Sequence, residues 1–233
     1  MGSRPYLRDC ERVPKADDMR ELVQRATTYP YAIPARSFMQ VGERTLELPA
    51  SGDLSGRRAL LAYGSNAAPE VLARKLAAAP DVPLPVIQAE LDDFDVVYSA
   101  HVSAYGSVPA TLHRSPGTTV AVHVAYPDSA QLRLLLATEP NYELTRLTEI
   151  SCRLDGGAAL SEVDAFLTRH ACLTIDHAAV ALSAIGARGR KFREMTEPEV
   201  LEHVRSRLFP ERSLEEFIAG WVEQGGLAPL PDI

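Results

Sequence analysis

The chain has 233 residues, of which 46% are apolar, and its 24 basic and 31 acidic side chains give a formal net charge of −7. This is the composition of an ordinary globular protein that is long enough to bury a substantial core. The acidic balance argues against a nucleic-acid partner, because nucleic-acid binders usually carry a basic face. Apolar runs such as 178–185 are far shorter than the roughly 20 residues that cross a bilayer, so we expect no membrane partner.

The cysteines and the amino-terminal residues indicate a cellular compartment. Cys10, Cys152 and Cys172 are too widely spaced for a disulfide framework or a zinc site. Residues 1–13 include several charged side chains and lack the apolar core of a signal peptide. We therefore expect a cytoplasmic protein with free thiols, and the composition rich in arginine and alanine indicates a bacterial one.

The segment 1–56 differs in texture from the rest of the chain. Prolines interrupt it repeatedly, and its hydrophobic pattern is broken. One helix is predicted over 16–27, where apolar side chains recur at helical spacing. The remainder is predicted to be an extended wrap or a flexible arm.

Strand and helix signals become regular from residue 58 onward. An apolar run at 59–63 predicts a buried strand, and a helix over 67–79 follows it. The other predicted strands are 84–91, 94–101, 108–113, 119–126, 147–154, 163–167 and 171–185. Capping boxes at Thr196 and Ser213 open two further helices. Many strands with two inserted helices and a helical end predict the α+β class.

A helix that begins at Asp128 or Ser129 is predicted to carry Glu139 in register with its apolar residues. Those apolar residues are Leu132, Leu135 and Leu136. A carboxylate on an apolar stripe is unusual, because burying it unpaired is costly, and a carboxylate held in this way can exchange protons with a substrate. The alternative is that Glu139 turns outward at the frayed end of the helix, beside Pro140.

The loop Tyr63-Gly64-Ser65-Asn66 joins the first regular strand to the following helix. A glycine at this place allows the backbone to approach a ligand closely, and the amides that open a helix favour a carboxylate or an oxyanion. The alternative is an ordinary turn with a helix cap. A second Tyr-Gly-Ser, at 105–107, precedes a strand instead of a helix and is interpreted as a turn.

Other patterns give weaker indications of chemistry. No G-x-S-x-G elbow surrounds Ser65, so a serine nucleophile has little support. The histidines form no short metal-binding pair, and we expect no metal. His123 lies on the alanine face of its strand and is interpreted as a pocket or surface histidine, and the basic, glycine-rich segment 186–191 is interpreted as a solvated loop.

Taken in order, these segments resemble the gamma-glutamylcyclotransferase-like family. Residues 60–66 are similar to the first strand of that family and its Tyr-Gly-Ser-Asn loop, which binds the glutamyl part of the substrate. The similar segments further along are 89–98, 106–112 and 120–126. The helix that follows them resembles the one that leads to the family's catalytic glutamate, whose place Glu139 takes. The resemblance extends over about 58–150 and more weakly to 192.

The resemblance implies a small mixed β-barrel with flanking helices and an enzyme that needs neither a metal nor an organic cofactor. Its partner would be a small γ-glutamyl compound, whose α-amino group attacks its own γ-carbonyl to give 5-oxoproline and a released amine or amino acid. Glu139 would act as the general acid and base. The substrate would be bound by Tyr63, Gly64, Ser65 and Asn66, with Tyr63 as a pocket wall and the other three holding the glutamyl carboxylate or the oxyanion through their backbone.

The chain is expected to comprise an amino-terminal extension over 1–56, the barrel over 57–192 and a helical extension packed on it over 193–233. The oligomeric state and the leaving group stay open. Pro140 stands where the family usually has glycine, and this favours an alternative function, a non-catalytic module that keeps the pocket and binds a small ligand. A third alternative, a hydrolase or acyltransferase with Ser65 as nucleophile, lacks a histidine at a suitable spacing.

Overall fold

The computed structural model describes residues 16–49, 54–225 and 230. Within these ranges the helices are α1 Ala16–Thr27, α2 Pro69–Lys75, α3 Ser129–Ala137, α4 Glu197–Leu208 and α5 Leu214–Glu223. The strands of the same ranges are β1 Phe38–Val41, β2 Arg44–Glu47, β3 Leu60–Ala62, β4 Leu84–Tyr98, β5 Ala110–Ala125, β6 Tyr142–Leu154, β7 Ala159–Thr168, β8 Thr174–Ile175, β9 Ala178–Leu182, β10 Ala187–Arg188 and β11 Arg193–Met195. None of these helices is long and apolar enough to span a membrane.

Five strands close into a small barrel in the order β4, β5, β3, β7, β6 and back to β4. β3 and β7 run parallel, and the other four neighbouring pairs are antiparallel. The hairpin of β1 and β2 extends the sheet from β4, and β9 also pairs with β4. The expected α+β class with a small mixed β-barrel is therefore confirmed.

β4 and β5 form one long antiparallel ladder, although the sequence predicts two shorter strands in place of each. The polar residues near 92–93 and the Pro116-Gly117 pair predict breaks. The ladder continues because β5 bulges over residues 115–118, which lie opposite the single residue Asp93 of β4. Asp93 has a φ of 62°, and its carboxylate accepts the Gly117 N–H at 2.7 Å. The irregular residues of β4 and β5 thus lie opposite each other, and the pairing continues on both sides of them.

Three helices begin where the sequence predicts. α1 covers the predicted 16–27, and the capping boxes of Thr196 and Ser213 are both formed at the starts of α4 and α5. α2 is shorter than the predicted 67–79, since a 3-10 helix at Ser65–Ala67 comes before it.

α3 ends before Glu139, so the prediction that Glu139 shares an apolar helix stripe is wrong. The hydroxyl of Thr138 donates to the carbonyl of Leu135 at 2.8 Å and closes the last turn. Pro140 has no N–H to continue the helix, and a residue that precedes proline disfavours the helical conformation. Leu136, also assigned to the stripe, is 41% exposed.

The amino-terminal segment contains an ordered hairpin that the sequence does not predict. Phe38 of β1 pairs with Val86 of β4, is fully buried, and lies with its ring 6.1 Å from the ring of His123. His123 is consequently only 5% exposed, and burial lowers its pKa. The interpretation of His123 as a pocket or surface residue is wrong, because the hairpin covers this face of the sheet.

The basic segment 186–191 is not simply a solvated loop. Its residues 187–188 form β10 on β5, and the side chain of Arg190 is 6% exposed. The Arg190 guanidinium donates to both carboxylate oxygens of the fully buried Asp95, at 2.9 to 3.1 Å, and to the carbonyl of Ile185 at 2.7 Å. The arginine is retained inside because the carboxylate of Asp95 needs a partner there.

Removing one partner of this buried pair should be strongly destabilising. We expect Arg190→Ala to lower the free energy of unfolding by about 3–5 kcal/mol, because it leaves the Asp95 carboxylate buried and unpaired. Arg188→Ala is a matched control in the same segment, since Arg188 is 68% exposed, pairs with Glu90 at the surface, and should cost far less stability. Urea unfolding measures both, and equal losses would contradict the distinction.

Glu197, the first residue of α4, carries a second buried carboxyl group. Its side chain is 2% exposed and accepts the backbone N–H of Val108 at 2.6 Å. Burial raises the pKa of this carboxyl well above its ordinary value. The folded protein therefore holds the proton more tightly than the unfolded chain, so stability is lost as the pH rises from the unfolded pKa through the folded one.

Glu197→Gln cannot ionise, so its stability relative to the parent protein should increase from about pH 4.5 to pH 8. The expected change in that difference is at least about 1 kcal/mol, since one pKa unit corresponds to about 1.4 kcal/mol. Urea unfolding at several pH values measures it. Glu199→Gln is the control of opposite sign, because the Thr196 backbone N–H lowers the pKa of Glu199 and gives stability that is lost as the pH falls. Parallel pH curves for the parent protein and Glu197→Gln would refute this account.

Candidate active site

The loop Tyr63-Gly64-Ser65-Asn66 begins at the end of β3, inside the barrel wall. The hydroxyl of Tyr63 donates to the carbonyl of Phe166 on β7, which fixes the start of the loop. The 3-10 helix then turns the chain into α2. The amides of Ser65 and Asn66 open this helical turn and have no acceptor in the described part of the chain.

Gly64 is in close contact with a tyrosine of the amino-terminal segment. A Cβ atom at this position would lie 2.6 Å from the hydroxyl oxygen of Tyr29 and 3.5 Å from the Cβ of Ala110. Tyr29 cannot easily move away, because it is buried and its hydroxyl accepts the Ala110 N–H at 2.9 Å. The loop therefore needs glycine here for space.

Glu139 lies in the turn between α3 and β6. Its N–H donates to the carbonyl of Leu136 at 3.2 Å, and its own carbonyl accepts the N–H of Tyr142 at 3.1 Å. Its side chain is 12% exposed and is turned toward the loop, not toward solvent. The alternative in which Glu139 turns outward beside Pro140 is therefore wrong.

The side chains of Glu139, Asn66 and Lys75 form a closed triangle of polar contacts. The Asn66 amide donates to Oε1 of Glu139 at 2.9 Å, and the Lys75 ammonium donates to the same oxygen at 2.5 Å. Lys75 also donates to Oδ1 of Asn66 at 2.8 Å. Among the described residues, both hydrogen-bond donors to this carboxylate bind Oε1. The other oxygen, Oε2, therefore keeps its lone pairs for another proton donor.

These groups line one cavity of about 150 Å³. Its walls include five tyrosines, which are Tyr29, Tyr31, Tyr63, Tyr105 and Tyr142. Its polar lining includes the backbone of 64–66, the ammonium of Lys75 and the imidazole of His101. Glu139 is the one carboxylate among the described residues that line it. An aromatic wall with a few convergent polar groups is typical of a small-molecule site.

Three further titratable groups of the cavity, Tyr29, Tyr63 and His101, are neutral at physiological pH. Burial raises the pKa values of Tyr29 and Tyr63 far above neutrality. Burial, with a smaller contribution from His170, lowers the pKa of His101 to about 3. The Nδ1 atom of His101 is hydrogen-bonded to the Ser99 hydroxyl at 2.8 Å. These groups can donate or accept hydrogen bonds, but Glu139 is the group suited to take a proton.

The structure places Tyr63, Gly64, Ser65, Asn66 and Glu139 around the same cavity. Their roles in catalysis and substrate binding stay predictions.

Several lining residues were missed by sequence reasoning. Lys75 lies within the predicted helix 67–79 with no distinguishing signal, and Tyr29 and Tyr31 come from a segment predicted to be a wrap or an arm. The turn at 105–107 is formed as predicted, with Gly106 at a φ of 84°, yet Tyr105 also lines the cavity.

Comparisons with known proteins give distant matches of fold. No family model and no curated protein sequence matches the chain. A solved structure named gamma-glutamyl cyclotransferase is 17% identical, with 70% of this chain and 87% of that chain covered and a TM-score of 0.40. An uncharacterized protein from Homo sapiens is also 17% identical, with coverages of 71% and 88% and a TM-score of 0.38. YkqA from Bacillus subtilis is 13% identical, with coverages of 93% and 77% and a TM-score of 0.39. The family that the sequence resembles is thus represented among the similar structures.

Gly64→Ala should destabilise the protein through the Tyr29 contact. We expect a cost of about 1–3 kcal/mol, which is typical of adding a methyl group to a filled site. In a Tyr29→Phe background the same substitution should cost at least about 1 kcal/mol less, because the clashing oxygen is absent. Urea unfolding of the two single variants and the double variant measures the coupling. Additive costs would contradict a direct contact between the two positions.

Proposed function

We propose that this protein is a gamma-glutamylcyclotransferase-like enzyme, which converts a γ-glutamyl compound to 5-oxoproline and a free amine or amino acid. The observation that carries the proposal is the contact of Glu139 with Asn66 at 2.9 Å. It joins a shielded carboxylate to the loop whose sequence resembles the glutamyl-binding loop of that family.

The loop would hold the glutamyl part of the substrate. The free amides of Ser65 and Asn66 suit the α-carboxylate or the oxyanion that develops on the γ-carbonyl. The tyrosine walls suit the methylene carbons of the glutamyl chain. Because the attacking amine and the carbonyl belong to one molecule, the protein has mainly to fold this chain back on itself and move protons.

Glu139 would carry the proton through its free oxygen. The α-ammonium of the substrate gives a proton to Oε2, and the resulting amine attacks the γ-carbonyl carbon to form the new C–N bond of the five-membered ring. The bond from this carbon to the leaving nitrogen then breaks as Oε2 returns the proton to that nitrogen. The released amine takes the second proton of the former ammonium from the ring nitrogen, so it leaves as an ammonium and the ring nitrogen keeps one hydrogen. No proton is gained or lost overall.

Lys75 would fix the carboxylate in position without blocking it. Its ammonium binds Oε1 and the Asn66 oxygen, so the carboxylate is anchored at one oxygen and open at the other. This positive charge also offsets part of the cost of shielding Glu139 from water. Lys75 is accordingly a positioning residue in the proposed mechanism.

We further propose that the enzyme acts in the cytoplasm of a bacterium on a small molecule. The support for the compartment is the pair of free cysteines, Cys152 and Cys172. The net charge of −7 supports a partner other than nucleic acid.

Glu139→Gln should abolish the release of 5-oxoproline from γ-glutamyl peptides and amines. The amide keeps the shape of the side chain but cannot accept the ammonium proton, so we expect a loss of about 100- to 10,000-fold in kcat. Chromatographic detection of 5-oxoproline measures it. Glu143→Gln is a matched control, because Glu143 is exposed, close in sequence and outside the cavity. Inactivity of the parent protein on a broad panel would contradict the enzyme, and ligand-induced stabilisation without turnover would support the binding module.

Ser65→Ala separates the proposal from a serine nucleophile. The proposed mechanism uses the Ser65 backbone, so most of the activity should be retained. Complete loss with an intact fold would favour the hydrolase or acyltransferase alternative.

A further inference from the structure

Two arginines lie near one aromatic ring at the opening of the cavity. The guanidinium carbon of Arg25 is 4.0 Å from the centroid of the Tyr105 ring, and that of Arg74 is 5.2 Å from it. Both distances are within the range of cation–π contacts. Tyr105 is 37% exposed, and both Tyr105 and Arg74 line the cavity that contains Glu139, so this cluster, the arginine rim, stands where the cavity meets solvent.

Within the described part of the chain, the positive charges of the rim are not neutralised by a carboxylate. In residues 16–49 and 54–225 no carboxylate forms an ion pair with Arg25 or Arg74. Two like charges beside the same ring repel each other, and a bound anion would relieve that repulsion. Arginine is suited to this role because its planar fork of donors matches a carboxylate.

The rim is built on a rigid support. The Tyr105 turn is closed by Gly106, where a Cβ atom would lie 2.8 Å from Ile218 of α5 and 3.3 Å from Ala26 of α1. The turn is also held by the N–H of Ser103, which donates to the carbonyl of Ser107 at 2.8 Å. The turn that carries Tyr105 is thus packed at Gly106 against two helices, one of which carries Arg25.

The last two residues of α2 are both cations, and they face different parts of the site. Lys75 turns inward to Glu139, whereas Arg74 lies beside Tyr105 at the opening. Burial raises the pKa of Tyr31, which also lines the cavity, and the charge of the neighbouring Arg25 opposes that rise. The neutral Tyr31 hydroxyl is a further donor beside the rim.

The size of the cavity decides which part of a substrate reaches the rim. A volume of about 150 Å³ is below the 300–1,000 Å³ of pockets that enclose drug-sized ligands, so it suits the glutamyl part alone. The group attached to the γ-nitrogen must then extend past Glu139 toward the opening.

We infer that the arginine rim of Arg25, Tyr105 and Arg74 is a subsite for a carboxylate on the leaving group, so that the protein prefers γ-glutamyl amino acids and peptides to γ-glutamyl amines. This inference rests on the proposed function. It adds specificity-determining residues outside the loop and the catalytic glutamate, and one of them is supplied by the amino-terminal helix.

The test compares γ-glutamylglycine with γ-glutamylmethylamide, which differ only in the leaving-group carboxylate. The parent protein should have a kcat/KM at least tenfold higher for γ-glutamylglycine. Arg74→Gln and Arg25→Gln should each lower this preference several-fold, and the double variant should nearly abolish it, because a charge-assisted contact to the carboxylate is lost at each step. Arg133→Gln is the control, since Arg133 is exposed on α3 and outside the cavity, and it should leave the preference unchanged.

The outcomes separate the two claims. Equal kcat/KM values for both substrates, or equal losses for both in the arginine variants, would overturn the rim while leaving the enzyme intact. If the parent protein turns over neither substrate, the proposed function fails, and the melting temperature with each compound is measured instead. Stabilisation by γ-glutamylglycine alone that disappears in Arg74→Gln would still support the rim, and its absence would overturn it.

Discussion

The parallel pairing of β3 with β7 determines where the site forms. β6 runs antiparallel to β7 and begins with Tyr142 opposite Thr168, so the end of β3 and the start of β6 meet at the same end of the barrel. The loop that follows β3 therefore lies beside the turn that precedes β6, although 73 residues separate Asn66 from Glu139. Closure of the barrel through β4 and β5 fixes this arrangement, because none of the five strands can shift register alone.

Barrel closure places the carboxylate of Glu139 where it is shielded from water, and the local contacts offset the cost of burying it. An unpaired charge there would be destabilising, so the ammonium of Lys75 and the amide of Asn66 converge on one oxygen of Glu139. The same contacts orient the carboxylate in advance, which is the condition for efficient proton transfer in a site of this kind. The arrangement combines stability with reactivity because it satisfies only one of the two oxygens.

Sequence patterns were sufficient for the parts of the site that have local signals. The strand–glycine–helix order around Gly64 and the place of Glu139 before a new strand are both visible in the chain. The predicted helix stripe through Glu139 failed because spacing alone does not reveal where a helix stops, whereas Thr138 and Pro140 do. Lys75, Tyr29 and Tyr105 could not be found in this way, since their positions depend on contacts between segments far apart in sequence. The division of the chain at residues 56 and 192 stays a prediction.

The amino-terminal segment connects both ends of the cavity. Tyr29 contacts the loop 63–66 at Gly64, and Arg25, four residues earlier, contacts the ring of Tyr105 at the opening. The overall charge of −7 would repel the anionic substrate proposed above at long range, so its attraction would have to come from cations close to the cavity, within the roughly 8 Å over which charges act at physiological salt. Displacement of the segment that carries Arg25 and Tyr29 would therefore remove positive charge from the opening and break the contact at Gly64 at the same time. The amino-terminal segment, which the sequence predicts to be a wrap or an arm, thus contributes to both the shape and the charge of the site.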